Sequence, residues 1–334
     1  MANENKTNEN KTVKNFVKLE GWLKDNTLAV MTTNNQKSAI SGQLVIATSA
    51  TEEFRIRLFA AETFTSGQKN PNYEGLLKLL PSETVTVKTI LEANEGATFE
   101  AATLQASKVW ATGNFSVYDR KDEGGEIHTS VTLQGNRAGF KIDGPLTKKK
   151  FAPEASFDCE GFLNKIQDEK DGETETGRVK LEILIPDYFH ETVMPVEFIV
   201  PAEIRDVTLG AWNRGETVSF KGHLVNARKE VAPQRAARTS LLGHTEVLEP
   251  TFVFVNERVI TEPFPAYVPE DVKAISADTV KTYLANREKM LEELEVVPQG
   301  GTDNRTPLAT ASTPTSAPAS APANPAAKYG GFQL

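Results

Sequence analysis

The side chains in this sequence best suited to chemistry are aromatic rings set among cations at every second position. In VWATGNFSVYDRK (109–121), one alternate set is Val109, Ala111, Gly113, Phe115 and Val117, and the other is Trp110, Thr112, Asn114, Ser116 and Tyr118. A strand turns successive side chains to opposite faces, so the first set is expected in a core and the second towards solvent. Two large aromatics then stand on an otherwise polar face, with Arg120 just beyond them. The same alternation sends Val17, Leu19, Gly21 and Leu23 inward and Lys18, Trp22 and Lys24 outward. Around Phe54, Ile56 and Leu58 it leaves Arg55 and Arg57 outside. Such a face suits unpaired nucleic acid: bases stack on rings at roughly 1–3 kcal/mol each while cations follow the phosphates, with no need of a particular sequence. The competing reading buries Trp22 and Trp110 under a neighbouring segment.

The pattern recurs. EGWLK (20–24) is matched by EGFLN (160–164), SGQLVIAT by TGRVKLEIL, and VWATGNF by VSFKGHL. In the second copy Val218, Phe220 and Leu224 read as core with Lys221 and His223 outward. Val179, Leu181 and Ile183 likewise read as core with Arg178 and Lys180 outward, and Phe162 takes the place of Trp22. The stretch NARKEVAPQRAARTSLLGH (226–244) holds Arg228, Lys229, Arg235 and Arg238 against one acid, Glu230. A basic connection between fourth and fifth strands is one of the loops by which small barrels grip oligonucleotides, although a solvated loop would look the same.

Strands are expected at 16–24, 39–48, 53–60, 108–119 and 129–142, and again at 156–166, 177–186, 193–200, 216–228 and 249–260. A short helix is expected at 70–80, stopped by Pro81, and residues 81–107 read as an insertion with strands of its own. Five strands with a helix between the third and fourth is the plan of an OB-fold. The expected architecture is therefore mainly β: two OB-fold-like five-stranded barrels in tandem, at 16–147 and 156–265, joined by a basic linker, 148–155. An acidic helical segment follows at 266–297, with Val280, Leu284, Leu291 and Leu294 on one side of its helix. Residues 1–15 and the Pro/Ala/Ser/Thr-rich 298–334 cannot bury a core and are expected to be disordered. The latter end in KYGGFQL, whose Tyr329, Phe332 and Leu334 form an aromatic tip.

The chain has 334 residues and a net charge of -8, so there is no bulk attraction to nucleic acid or to an anionic membrane, though a local basic groove remains compatible with that total. It has one cysteine, Cys159, which has no internal disulfide partner and reads as packed core. The polar start is unlike a signal peptide and no apolar run reaches membrane-spanning length, which points to the cytoplasm. His128, His190, His223 and His244 are scattered, none at metal-ligand spacing, and there is no glycine-rich phosphate loop or nucleophile elbow. No metal, no cofactor and no enzymatic activity are expected.

EGWLK, VWATGNFSVYDRK, EGFLN and VSFKGHLVNARK together resemble single-stranded DNA-binding proteins of the tandem OB-fold kind found in phages and mobile elements, over about residues 16–265. The resemblance implies non-catalytic binding of single-stranded DNA, with RNA left open, in support of replication, recombination or repair. Trp22, Trp110 and Tyr118 would stack on bases. Lys18, Lys24, Arg55, Arg57, Arg120, Lys221, His223, Arg228, Arg235 and Arg238 would contact the strand. The layout is also similar to bacterial single-stranded DNA-binding proteins, whose flexible tail ends in an acidic, aromatic tip that recruits partners. KYGGFQL keeps the aromatic and lacks the acid, so recruitment of replication or recombination proteins by Tyr329, Phe332 and Leu334 is the looser part of the parallel. With both barrels in one chain, a monomer or dimer is expected. A structural or protein-interaction β-module, such as a phage particle component or an adaptor, is the alternative, and the negative charge favours it.

Overall fold

The computed structural model describes residues 13–141, 150–231 and 251–296. Its first half contains β1 (Asn15–Asn26), β2 (Ala29–Thr32), β3 (Ser38–Ala47), β4 (Glu53–Ala61), β5 (Lys108–Lys121) and β6 (Ile127–Phe140). Three short helices, α1 (Pro71–Leu77), α2 (Val87–Ala93) and α3 (Phe99–Thr103), lie between β4 and β5. The second half repeats the plan with β7 (Glu154–Asp171), β8 (Thr174–Asp187), β9 (Thr192–Val200), α4 (Arg205–Ala211), β10 (Thr217–Val231) and β11 (Thr251–Pro263). A final helix, α5, spans Ala277–Glu292.

The strands of each half close on themselves by the same path. β1 pairs β3, β3 pairs β4, β4 pairs β6 in parallel, β6 pairs β5, and β5 returns to β1. Likewise β7 pairs β8, β8 pairs β9, β9 meets β11 at the parallel pair Ile199–Val259, β11 pairs β10, and β10 returns to β7. These are two OB-fold-like barrels, the second closed more loosely than the first. The core alternation expected of them holds: Val17, Leu19, Leu23, Val109, Ala111, Phe115, Val179, Leu181, Ile183, Val218 and Phe220 are all fully buried.

The paired glycines have a steric reason. A Cβ on Gly21 would run into the Ala47 carbonyl oxygen and Ile46, and one on Gly161 would run into Ile183 and the Leu184 carbonyl. At each first strand the wall folds too closely for any side chain. The glutamate before each glycine is buried and clasped by a lysine from beyond its own fifth strand. Glu20 accepts from Lys141 Nζ (3.3 Å) and Ala152 N–H (3.1 Å). Glu160 accepts from Lys273 Nζ (2.9 Å), the Lys14 N–H (3.0 Å) and the Tyr267 hydroxyl (2.8 Å). Burial alone would raise the Glu160 carboxyl, but those three donors outweigh it and hold the group below its ordinary value.

β1 and β7 pair antiparallel and fuse the barrels into one eleven-stranded sheet. Val17 sits opposite Phe157, its own counterpart in the repeat, so the seam has a local pseudo-two-fold axis. Across it, Phe115 of β5 enters the aromatic core of the second barrel, 5.8 Å from the Phe157 ring and 5.7 Å from that of Phe198. The Asn15 side chain holds this plug by bonding both the N–H and the carbonyl of Phe115. α5 then straps the halves together. Val280, Tyr283 and Leu284 cover Phe162, Leu184 and Val193, while the buried Arg287 donates to Asp119 of β5 at 2.7 Å.

Three elements depart from the sequence reading. Residues 81–107 are helical rather than stranded: Thr86 and Thr98 cap α2 and α3, and Val87, Ile90, Ala102 and Ala106 form their buried side. β2 and α4 lie where no element was expected. Phe162 does point out of its barrel, yet α5 covers it, so it offers no free face. The expected flexible tail and most of the expected disordered N-terminus lie outside the described residues.

Two outcomes test this packing. Gly21→Ala should lose about 1–3 kcal/mol or more through overpacking, whereas Gly210→Ala in α4, with open space around it, should be neutral or slightly stabilising in thermal melts. Because the Glu160 carboxyl is depressed in the fold, its stabilisation is complete above the ordinary glutamate value of 4.5 and is lost as pH falls through the lower folded value. The difference in melting temperature between the parent and Glu160→Gln should therefore stay constant from about pH 7 to about pH 5.5 and shrink at more acid pH.

Candidate nucleic-acid interface

β4, EFRIRLFAA, buries Phe54, Ile56, Leu58 and Ala60 and turns Arg55, Arg57 and Phe59 outward. Arg57 lies between Gln43 of β3 and Gln134 of β6 in the ladder. In the second barrel the β10–β11 hairpin runs on past the barrel wall. There Leu224, Asn226 and Arg228 stand opposite Arg258, Asn256 and Phe254. The hairpin reaches the β3–β4 turn of the first barrel, where the Arg228 N–H donates to the Thr51 carbonyl (2.9 Å) and the Asn226 side chain donates to that of Glu53.

Between the two lies a cleft of about 320 Å³. Gln43, Arg55 and Arg57 line it from one barrel and Asn226, Asn256 and Arg258 from the other, over an apolar floor that includes Phe54, Phe115, Leu133 and Leu224. No carboxylate among the described residues lines it. Arg55 reaches Glu53 only at 3.6 Å, and Glu53 is already held by Lys24. Arg57 has no ion pair among the described residues. Arg258 donates a long bond (3.3 Å) to the Glu197 carbonyl, and burial pulls its guanidinium below the ordinary arginine value. The Glu197 carboxylate offsets only part of that cost, and a phosphate would add opposite charge in the planar, forked geometry that arginine favours. Phe59, 44% exposed, and Phe254, 70% exposed, continue the two arginine stripes with open aromatic faces.

Of the residues expected from sequence, the structure gathers Arg55 and Arg57 into this cleft and places Arg228 at its lip. The others lie elsewhere. Trp22 faces out of its barrel but is covered: its indole meets Phe99 and Phe151 edge-on (centroids 6.0 and 5.3 Å) and packs on the α2–α3 cluster. The insertion unread in the sequence is what hides it. Trp110 is half-buried, opposite Glu20 in one ladder and Gly139 in the other, with its indole close against that glycine. Tyr118 and Arg120 are half-buried on the β5–β6 hairpin. Lys18 pairs with Glu154, Lys24 with Glu53, and Lys221 with Glu262 at 3.0 Å, so these cations already have acids. His223 is exposed on β10, apart from the cleft lining. Arg235, Arg238, Tyr329, Phe332 and Leu334 lie outside the described residues.

Sequence reasoning missed Arg258, Asn256, Phe254 and Phe59. The signal was present: Phe254, Asn256 and Arg258 alternate with Val255 and Glu257, and Phe59 is the next outward position after Arg57. At the β5–β6 turn, Asp122, Glu126 and His128 also converge, with Asp122 Oδ2 2.9 Å from His128 Nε2. That bond, together with the Glu126 N–H to Asp122, is a clasp closing the hairpin.

Two OB-fold-like barrels sharing an arginine-lined cleft define the class. The chain belongs to the YorF family, which it matches over residues 14–296. No curated protein matches it in sequence. Among solved structures it is similar to the wild-type single-stranded DNA-binding protein from Thermus aquaticus, with 13% identity and a TM-score of 0.39, covering 68% of this chain and 97% of that one. A deletion mutant of the same protein gives 12% identity and a TM-score of 0.39, covering 78% and 98%. The mitochondrial single-stranded DNA-binding protein Rim1 from S. cerevisiae gives 11% identity and a TM-score of 0.21, covering 39% and 97%. At such identities and scores the likeness assigns no residue a role. No helix among the described residues is long and apolar enough to cross a membrane.

The covered position of Trp22 yields a prediction. Trp22→Ala should lower the thermal melt, costing about 2–4 kcal/mol for the cavity left against Phe99 and Phe151, with little effect on any ligand held in the cleft.

Proposed function

We propose that this chain binds single-stranded DNA without sequence preference and without catalysis, as a tandem OB-fold protein of the phage or mobile-element kind serving replication, recombination or repair. The observation that carries the reading is the cleft lined by Arg55, Arg57 and Arg258, with no carboxylate in its lining among the described residues and with Phe59 and Phe254 exposed on the same strands. Arginines would hold phosphates and the two phenylalanines would stack on bases, an arrangement that needs unpaired strands because duplex bases are already stacked. On an acidic chain the attraction is local, so affinity would depend on these few contacts and fall with salt. Replication or recombination proteins would meet the chain through Tyr329, Phe332 and Leu334, and the binding unit would be a monomer or dimer.

The test is a titration of a labelled oligo-dT strand at two salt concentrations, with single- and double-stranded competitors. Binding should be tight, competed by single strands and weakened by salt. Arg57→Ala with Arg258→Ala should cost at least about tenfold and flatten the slope of log affinity against log salt by about 1.4, the loss of two phosphate contacts on a single strand. Phe59→Ala or Phe254→Ala should each cost about 1–3 kcal/mol of binding. All four changes should leave the melt nearly unaltered. A chain that ignores oligo-dT at low salt would instead fit the structural or adaptor reading.

A further inference from the structure

Two ion pairs cross the seam diagonally, both with the cation on the first-barrel side and the acid on β7. Lys14, beside the first residue of β1, pairs with Asp158 at 2.6 Å, and Lys18 pairs with Glu154. In the ladder every pair of facing positions is related by the axis through Val17 and Phe157, so these two diagonal ion pairs are images of one another. The first barrel supplies both cations and the second both acids. We propose that Lys14, Lys18, Glu154 and Asp158 form a pairing code that joins a first-barrel strand only to a second-barrel strand and rejects like with like.

The geometry states the rejection directly. If β1 met β1 of another copy about the same axis, Lys14 would lie opposite Glu20 and diagonal to Lys18, twice; if β7 met β7, Glu154 would lie opposite Glu160 and diagonal to Asp158, twice. Diagonal neighbours on one face of an antiparallel pair lie within reach of long side chains, so the like charges would repel. Both ion pairs are partly exposed, with side-chain exposures of 49% and 19% for Lys14 and Asp158 and 24% and 39% for Lys18 and Glu154. Exposed pairs add little stability. Their effect lies in the difference between attraction in the right pairing and repulsion in the wrong ones, which is how specificity is built. Among the described residues the paired strands also carry Glu20, which stands opposite Glu154 in the ladder, and Glu160. Lys141 and Lys273 neutralise them respectively, and Lys18 also approaches Glu20 at 3.6 Å, so the choice of partner falls to the four. Apolar burial alone does not mark the partner, because both seam strands carry apolar inner faces, Val17 and Leu19 on one and Phe157 and Cys159 on the other.

This inference is independent of nucleic-acid binding and is tested on the full chain. K14E/K18E makes both seam strands acidic and E154K/D158K makes both basic; the fourfold exchange restores opposition with reversed sign. Each double variant should melt lower by on the order of 5 °C, and the fourfold variant should return to within about 2 °C of the parent. An equimolar mixture of the two double variants, followed by sedimentation velocity and native mass spectrometry, should form a one-to-one heterodimer, because each acidic strand then has a basic counterpart only on the other chain. If the double variants fail to fold alone, recovery in the fourfold variant still supports the code. A fourfold variant as labile as the doubles, doubles that melt like the parent, or a mixture without heterodimer overturns it.

Discussion

The antiparallel ladder between β1 and β7 is the constraint on which everything else hangs. A slip of one residue would turn Val17, Leu19, Phe157 and Cys159 from the core to the outside, so burial on one face fixes the register. Once it is fixed, Phe115 reaches the second barrel's core and the end of β10 arrives at the β3–β4 turn. The cleft exists because of that placement: its two walls belong to different barrels and share no loop. Cys159 illustrates how dry the seam is, since burial pushes its thiol well above the ordinary range and leaves it an inert packing group.

Charge is distributed with equal economy. The buried acids Glu20 and Glu160 are each clasped by a lysine, and Lys14, Lys18, Lys24, Lys165, Lys180 and Lys221 already have a carboxylate. Arg57 has no ion pair among the described residues, and Arg258 donates to the Glu197 carbonyl with that residue's carboxylate as its charge partner. An acidic protein thereby keeps a local cluster of arginines whose field is focused by apolar walls, while the remainder of its surface discourages indiscriminate contact with polyanions.

Much of the fold could be read from local sequence. The alternation in β1, β4, β5, β8 and β10 identified core positions that are buried, except that Val117 near the end of β5 is only half-buried, and EGWL with EGFL marked true equivalents, because both glycines answer the same steric demand. What local pattern could not supply was the identity of the cover. Alternation tells that Trp22 and Phe162 leave the barrel, but whether they then meet water depends on α2 and α3 in one case and α5 in the other, and those helices come from distant or weakly patterned segments. The same gap explains the site. Arg55 and Arg57 were legible on their strand, whereas Arg258 gains its meaning only from a wall contributed 200 residues away.

The broken symmetry of the seam has a consequence for direction. A true two-fold axis through the cleft would give it identical halves, and a thread drawn through it would encounter the same groups whichever end entered first. Here one half presents two arginines and a glutamine, and the other presents one arginine and two asparagines. The cleft consequently has a head and a tail. A polymer with chemical polarity meets a different order of contacts when it is turned end for end, so fusing two unequal barrels into one chain gives a quasi-symmetric architecture a sense of orientation.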